Sequence, residues 1–507
     1  MKISRNLLIT FAAFLVSGHF LLFSDAAASA FNSFDNSTFS NSTCDILKIE
    51  QPRGIFASPS GNSSATGSYN DPIDLQTALS VSSPVEAGET LWLLEGTYKG
   101  SFVSELRGTE SAHITIKPYP GIRAILDSNM SQGDSTLTIN GEWCDFFGLE
   151  ILSSDSKRVS VESSSSPSDI TLLAGVTVFA PHTRVINFII HDTAGGFSFW
   201  TPARDSELYG NIIYNNGWTA PDRGHGHAIY TQNDQGYKKL DNNIIFFGFG
   251  TGIHAYGESG KLNNFSIEKN VWYMTGASDP RASQLKDNCL VGGAQPVQNL
   301  LLKSNLGYSP GRGTRIGYYP NVANVDATFI DNYLVESLWL WSDWQTLSFV
   351  DNHIYGTLDD QQGYITASIQ EENDFQNSMP TSGKKVFIHE NTYDQRRARL
   401  VIYNYDESDR VAVDVSSILQ QGESYRVHSV FDLFGKPILT GVYGGRSLTI
   451  PMGTVPPPQP NGLVDGISED DNPKKKFGVF IITHAACADT IPVNGMSPVA
   501  AWMLLLK

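Results

Sequence analysis

Residues 191–256 hold the densest set of groups in this chain that can move protons. His191 and Asp192 come first, followed by Trp200, Arg204 and Asp205. A longer segment after Asn211 carries Trp218, Asp222, Arg223 and Gly224-His-Gly-His227, then runs into Ala228-Ile-Tyr-Thr-Gln-Asn233. Gly252-Ile-His-Ala-Tyr256 follows. Imidazole and phenol groups exchange protons, and guanidinium groups stabilise developing negative charge. Together they suit removal of a carbon-bound proton beside a carboxylate. Tyr230 or His254 is the expected proton carrier, with His227 a further catalytic candidate. Arg223 or Arg315 is the expected carboxylate partner. Lys238, Lys239 and Lys261 add cations nearby.

Other chemistries are open to the same residues. Hydrolysis of a glycosidic bond needs two carboxyl groups at a set separation. Asp192, Asp205, Asp222, Asp234 and Glu258 are available, without a closely spaced Asp pair. His225 and His227 could bind zinc if His191 or Asp222 completed the ligand set. Calcium could be held by oxygens of Asp222 and Asp234. Gly-His-Gly-His also has a purely structural use, as a tight loop whose histidines bond its own backbone. The chain has no phosphate-binding glycine loop, no Gly-x-Ser-x-Gly elbow and no Cys/His ribbon.

Such residues need a scaffold, and a repeat supplies it. Asparagine followed by short, mostly apolar phrases recurs as Asn187-Phe-Ile-Ile, Asn211-Ile-Ile-Tyr, Asn243-Ile-Ile-Phe, Asn270-Val-Trp-Tyr, Asn305-Leu-Gly-Tyr, Asn332-Tyr-Leu-Val and Asn352-His-Ile-Tyr. The separations are 24, 32, 27, 35, 27 and 20 residues. A unit this short cannot bury its apolar side alone and must stack on its neighbours. Branched and aromatic residues bounded by Gly, Asn, Asp and Pro make the phrases strands. Stacked asparagines can then pass amide hydrogen bonds from coil to coil.

Aligning the second strand of each unit sets Phe197-Ser-Phe-Trp200 against Ile229-Tyr-Thr-Gln232 and Ile253-His-Ala-Tyr256, with Thr314-Arg-Ile and Leu338-Trp-Leu-Trp341 following. Alternation turns Phe197, Ile229, Ile253 and Leu338 inward. It puts Ser198, Tyr230, His254, Arg315 and Trp339 in one outward column and Trp200, Gln232, Tyr256 and Trp341 in a second. Aromatic rings can stack on sugar rings while polar groups bond hydroxyls. Trp200, Gln232, Tyr256, Trp339, Trp341 and His225 are therefore the expected substrate-binding residues.

The asparagine phrases, with Gly88-Glu-Thr-Leu-Trp-Leu-Leu-Glu-Gly-Thr-Tyr98 and His113-Ile-Thr-Ile-Lys-Pro-Tyr-Pro-Gly121, resemble the right-handed parallel β-helix proteins of the pectate-lyase-like superfamily. The resemblance covers about residues 48–395. It implies an all-β chain, a parallel β-helix solenoid, and activity on a polysaccharide. The implied reaction is β-elimination from a uronate-containing polymer, or C5 epimerisation, which shares the first proton abstraction. A β-helix glycoside hydrolase is the alternative within the class. A non-catalytic glycan-binding or adhesive surface protein is the alternative outside it, because this fold carries many functions.

The ends and the composition frame this reading. Lys2, Arg5, the apolar run from Leu7 to Phe23 and Ala28-Ser-Ala30 form a secretory signal over residues 1–30, so a secreted or cell-surface location is expected. Residues 31–47 are polar. Residues 48–395 form the β-helix, 398–484 a small antiparallel β-sandwich, and 485–507 an apolar tail. Beyond the leader no apolar stretch is long enough to span a bilayer, and a monomer is expected. The net charge of −17 opposes nucleic acid as a partner and requires a local basic patch for an acidic polymer. Cys44, Cys144, Cys289 and Cys487 are scattered, which leaves disulfides and buried thiols both open.

Overall fold

The computed structural model describes residues 52–485, apart from 130, 281–285, 464–466 and 469–470. The expected leader, the 31–47 segment, Cys44, Cys487 and the tail from 486 onward lie outside the described residues.

Each coil contributes three short strands, and stacking produces three parallel lines. One line forms an eleven-stranded parallel sheet from Ile55–Ala57 to Asp343–Val350. The second, here the asparagine line, runs through Ile189–His191, Ile212–Tyr214, Ile244–Phe246 and Val271–Tyr273 and ends at Asp374–Gln376. The third, the site line, runs through Phe197–Phe199, Ile229–Thr231, Ile253–Gly257 and Cys289–Gly293 to Leu358–Asp360. In the later coils the strands Leu306–Ile316 and Tyr333–Leu340 pass through both the second and third lines. The chain is thus the parallel β-helix expected. Among the described residues the helices are Leu75–Leu79 and Ala367–Glu371, and no helix is long and apolar enough to cross a membrane.

The interior follows from alternation along each strand. Phe197, Ile229 and Ile253 stack inside with at most 1% exposure, each removing an apolar side chain from water at a gain of about 1.5–3 kcal/mol. Polar backbone at the turns is satisfied by an asparagine ladder. The Nδ2 groups of Asn211, Asn243, Asn270, Asn305, Asn332 and Asn352 each donate to the Oδ1 of the next asparagine at 2.8–3.1 Å. The last acceptor is Asn373, one coil beyond the expected repeat. Asn187 is outside the ladder. The backbone N–H of Phe188 bonds Asn211 instead, and Asn187, with φ 57°, accepts from Asn391.

The C-terminal module is antiparallel, as expected, but begins earlier. Strand Lys384–Asn391 pairs with Asp394–Asn404, so the β-helix gives way between Gln376 and Lys384 rather than at 395–398. The five-stranded sheet places Phe477–Ala485 at its centre, and a two-stranded sheet of Arg410–Val413 and Leu448–Pro451 accompanies it. Its apolar face packs on the outward side of the asparagine line. Phe246, Tyr273, Tyr308 and Tyr333 meet Val401, Tyr403, Phe477 and Val479 in one buried cluster, which includes no site-line side chain.

A buried ion network fastens this junction. Arg158, fully enclosed, donates to the carbonyls of Gly217 and Asn461 and to Asp192. Asp192 also accepts from the Asn461 backbone at 2.8 Å. Burial alone would lower the His191 pKa, but hydrogen bonds to Asp192 and Glu150 outweigh it and push it up to about 9. Arg123 pairs with Glu150 from the other side. His191 is thus a structural imidazolium beneath the module.

Candidate functional site

The outward face of the site line carries the residues singled out in the sequence. Ser198, Tyr230 and His254 are in register, and so are Arg315 and Trp339. A coil unrecognised in the sequence lies between the two groups. Cys289, Leu290 and Val291 pair with Ile253, His254 and Ala255 on one side and with Thr314, Arg315 and Ile316 on the other. Leu290 therefore separates His254 from Arg315, and the two stand two coils apart, roughly 10 Å along the stack.

The closest constellation is a pair of histidines. Gly226, at φ +87°, lets the hairpin of Trp218–Thr219 and Gly224–His225 turn back onto the site line. His227 then reaches the next coil, with its Nε2 3.1 Å from Nδ1 of His254. Its own Nδ1 faces the Thr251 carbonyl without reaching good hydrogen-bond geometry. With that nitrogen protonated, His227 accepts from His254, and the lone pair of His254 is left on Nε2. Burial, with the Arg223 charge, pushes His227 down to about 4, and burial, then His227 and Arg223, lowers His254 as well. Both rings are neutral at neutral pH, the form in which an imidazole accepts a proton.

Aromatic rings surround this pair and continue along the face. Tyr230 stands edge-on to His254 at 5.4 Å and contacts Trp200 at 5.4 Å. Tyr256 stacks on His254 at 4.8 Å, and its hydroxyl meets that of Tyr319 at 2.9 Å. Gln232 donates to the Tyr256 carbonyl at 3.0 Å. Further along, Arg315 lies over Trp341 at 4.3 Å and Trp339 at 5.5 Å. Phe179, 41% exposed, extends the Trp200 column in the other direction, because Val178 pairs with Phe199. Phe179 is hard to recognise in the sequence because its own coil carries the long insertion 153–173 between the strands Glu150–Leu152 and Ala174–Val178.

Charges on this face are mostly committed. Arg315 and Arg312 both pair with Asp287 at 3.3 Å. Burial raises the Asp287 pKa against those two cations. Arg223 is half-exposed, 3.7 Å from Asp222 and 3.1 Å from the Ser165 hydroxyl, so it is the most available cation near the histidines. His225 is not beside His227: it points the other way, stacks on Trp218 and bonds Asp222 at 3.1 Å. Asp234 accepts from the Lys261 backbone. His191, Asp222 and Asp234 thus occupy three separate settings. Among the described residues no group of three His, Cys, Asp or Glu side chains is arranged to hold a metal.

Interior residues set the site from below. Glu336, enclosed in the coil, accepts from Asn288 at 2.6 Å and Thr314 at 2.7 Å, tying together the strands that bear Leu290 and Arg315. Burial pushes its pKa up to about 7. Cys144 and Cys289 are buried free thiols.

No family model and no curated protein matches this chain. Solved structures with a similar chain path include pectate lyase Pel9A, with 16% identity, a TM-score of 0.48, and coverage of 65% of this chain and 80% of that one. An alginate lyase from Paenibacillus sp. str. FPU-7 has 18% identity and a TM-score of 0.34 over 61% of this chain and 99% of its own. A GH136 lacto-N-biosidase from Eubacterium ramulus has 13% identity and a TM-score of 0.31 over 60% and 67%. At these identities the likeness concerns chain path and transfers no residue role.

Proposed function

We propose that this chain is an exported carbohydrate-active enzyme that cleaves a uronate-containing polysaccharide by β-elimination. The observation that carries the proposal is the His227–His254 contact set in an aromatic floor, where burial favours the neutral form of both rings. His254 Nε2 takes the proton from C5. The electron pair forms the C4–C5 double bond as the C4–O bond breaks, and the leaving oxygen receives a proton from the Tyr230 hydroxyl. Arg223 pairs with the substrate carboxylate and stabilises the charge that spreads onto it. Trp200, Tyr256, Trp339 and Trp341 stack on sugar rings, and Gln232 bonds hydroxyls. C5 epimerisation uses the same abstraction and differs in returning a proton to C5 from the opposite face.

Hydrolysis is disfavoured by the carboxyl groups on this face. Asp287 is held by Arg312 and Arg315, and Asp359 accepts from the Trp341 indole, so neither carboxyl is free to serve as acid or base. Incubation with a panel of uronate polymers tests the reading. A rise in absorbance near 235 nm reports the unsaturated product. New reducing ends without that absorbance point to hydrolysis, inverted C5 without cleavage to an epimerase, and binding without product to a glycan-binding surface protein.

A further inference from the structure

Lys238 is the most unusual residue of the coil interior. It begins strand Lys238–Asp241 and faces inward, in register with Ser206 of the preceding coil and Phe265 of the next. Its neighbours further along the same interior stack are apolar, with Leu300 following Phe265. An ammonium group there is fully enclosed. Burial of a charge costs several kcal/mol unless its hydrogen bonds are met.

They are met by a single set of acceptors. Nζ donates to the carbonyls of Phe199 at 2.7 Å, Trp200 at 2.5 Å and Gln232 at 2.6 Å. The ammonium also lies 4.2 Å over the Phe199 ring. Three protons therefore meet three carbonyls, the full donor capacity of a charged lysine. Two of those carbonyls belong to Trp200 and Gln232, the outward residues that leave the site line at the turns of adjacent coils. The Trp200 carbonyl also accepts from the Ala203 N–H at 3.0 Å, a bond within its own turn that does not reach the neighbouring coil; the lysine joins it to the Gln232 carbonyl.

We propose that Lys238 is a positioning residue that acts as an internal cation, gathering the Trp200 and Gln232 carbonyls so that both side chains are set in the floor of the binding face. The role of that floor in binding sugar rests on the function proposed above. The setting of Trp200 does not.

The test uses the full chain labelled with 5-fluorotryptophan, with the Trp200 resonance assigned by Trp200→Phe. In a folded Lys238→Met variant the Trp200 resonance moves or broadens, while that of Trp92, in strand Thr90–Leu93 near the N-terminal end of the eleven-stranded sheet and assigned by Trp92→Phe, stays in place. An unchanged Trp200 resonance in the folded variant overturns the proposal. If the Met variant does not fold, Lys238→Ala is titrated with propylammonium and with sodium. Recovery with propylammonium alone supports the proposal; recovery with both ions or with neither overturns it. On a polymer that the wild-type protein cleaves, the Met variant raises KM about tenfold with kcat within twofold. An unchanged KM contradicts a role for Lys238 in the binding face. A wild-type protein that binds no polymer refutes the proposed function, and the fluorine result still decides the role of Lys238.

Discussion

Replacing Asn270 with alanine probes the ladder on which every site residue depends for its register. The Asn270 Oδ1 accepts from the Asn243 backbone N–H and Nδ2, both at 3.0 Å. Its Nδ2 donates to the Leu240 carbonyl at 2.9 Å and to Asn305 Oδ1 at 3.1 Å. Not all four partners are orphaned by the change. Asn243 Nδ2 retains the Leu208 carbonyl, and Asn305 Oδ1 retains the Asn270 backbone N–H. The Asn243 N–H and the Leu240 carbonyl lose a bond inside a dry interior. At about 1–3 kcal/mol for each of these two buried groups left unmet, the loss should be about 2–6 kcal/mol. Urea denaturation measures it, with Gln361→Ala, an exposed position, as a control expected within about 0.5 kcal/mol. A repeat chain need not unfold in one step, so exchange of the Asn243 amide is followed as a local readout. A loss no greater than that of the control, with the Asn243 amide still protected, would refute the ladder as a source of stability.

Other consequences follow from particular residues. Arg158→Met leaves Asp192 its His191 and Asn461 partners but removes a charge-assisted bond and strips the Gly217 carbonyl of its donor, so it should cost about 1–3 kcal/mol, read as a lower denaturation midpoint and faster proteolysis within residues 456–462. His191 has a folded pKa raised to about 9, so its stabilising contribution is complete below pH 6.5 and fades as pH rises through 9. The Tm of wild type should therefore fall across that window more steeply than that of His191→Gln; parallel curves would count against an ionised His191. Cys144 and Cys289 should react with a thiol reagent only after denaturation, and labelling of either in the native protein would contradict their enclosure.

Much of this arrangement can be read in the sequence because the coil repeats its own grammar. Inward Phe197, Ile229 and Ile253 pin three successive site-line strands, which is enough to place Tyr230 beside His254. The Cys289–Gly293 strand escapes notice because its outward residues are Leu290 and Gly292, without an aromatic or charged marker. That omission places Arg315 one coil too near His254. Asn373 is missed because the phrase after it, Asp-Phe-Gln, is polar, and Asn187 misleads because the module's Asn391 uses it instead. The strand Lys384–Asn391 is hard to recognise because it lacks a fully apolar alternating face. The junction network is invisible in sequence, since Arg158 and Asn461 meet across 303 residues. Lys238 reads as a surface cation until the coil closes around it.

The central claim is that His254 Nε2 abstracts a proton from a uronate residue lying on the aromatic floor. The most direct test is absorbance near 235 nm during incubation with a uronate polymer panel, for the wild-type protein and for His254→Ala. The account predicts a rise for at least one polymer with the wild-type protein and a loss of at least about a hundredfold in rate for the variant, with its melting transition retained. Wild-type activity preserved in a folded His254→Ala protein, or no unsaturated product from any uronate polymer, would contradict it.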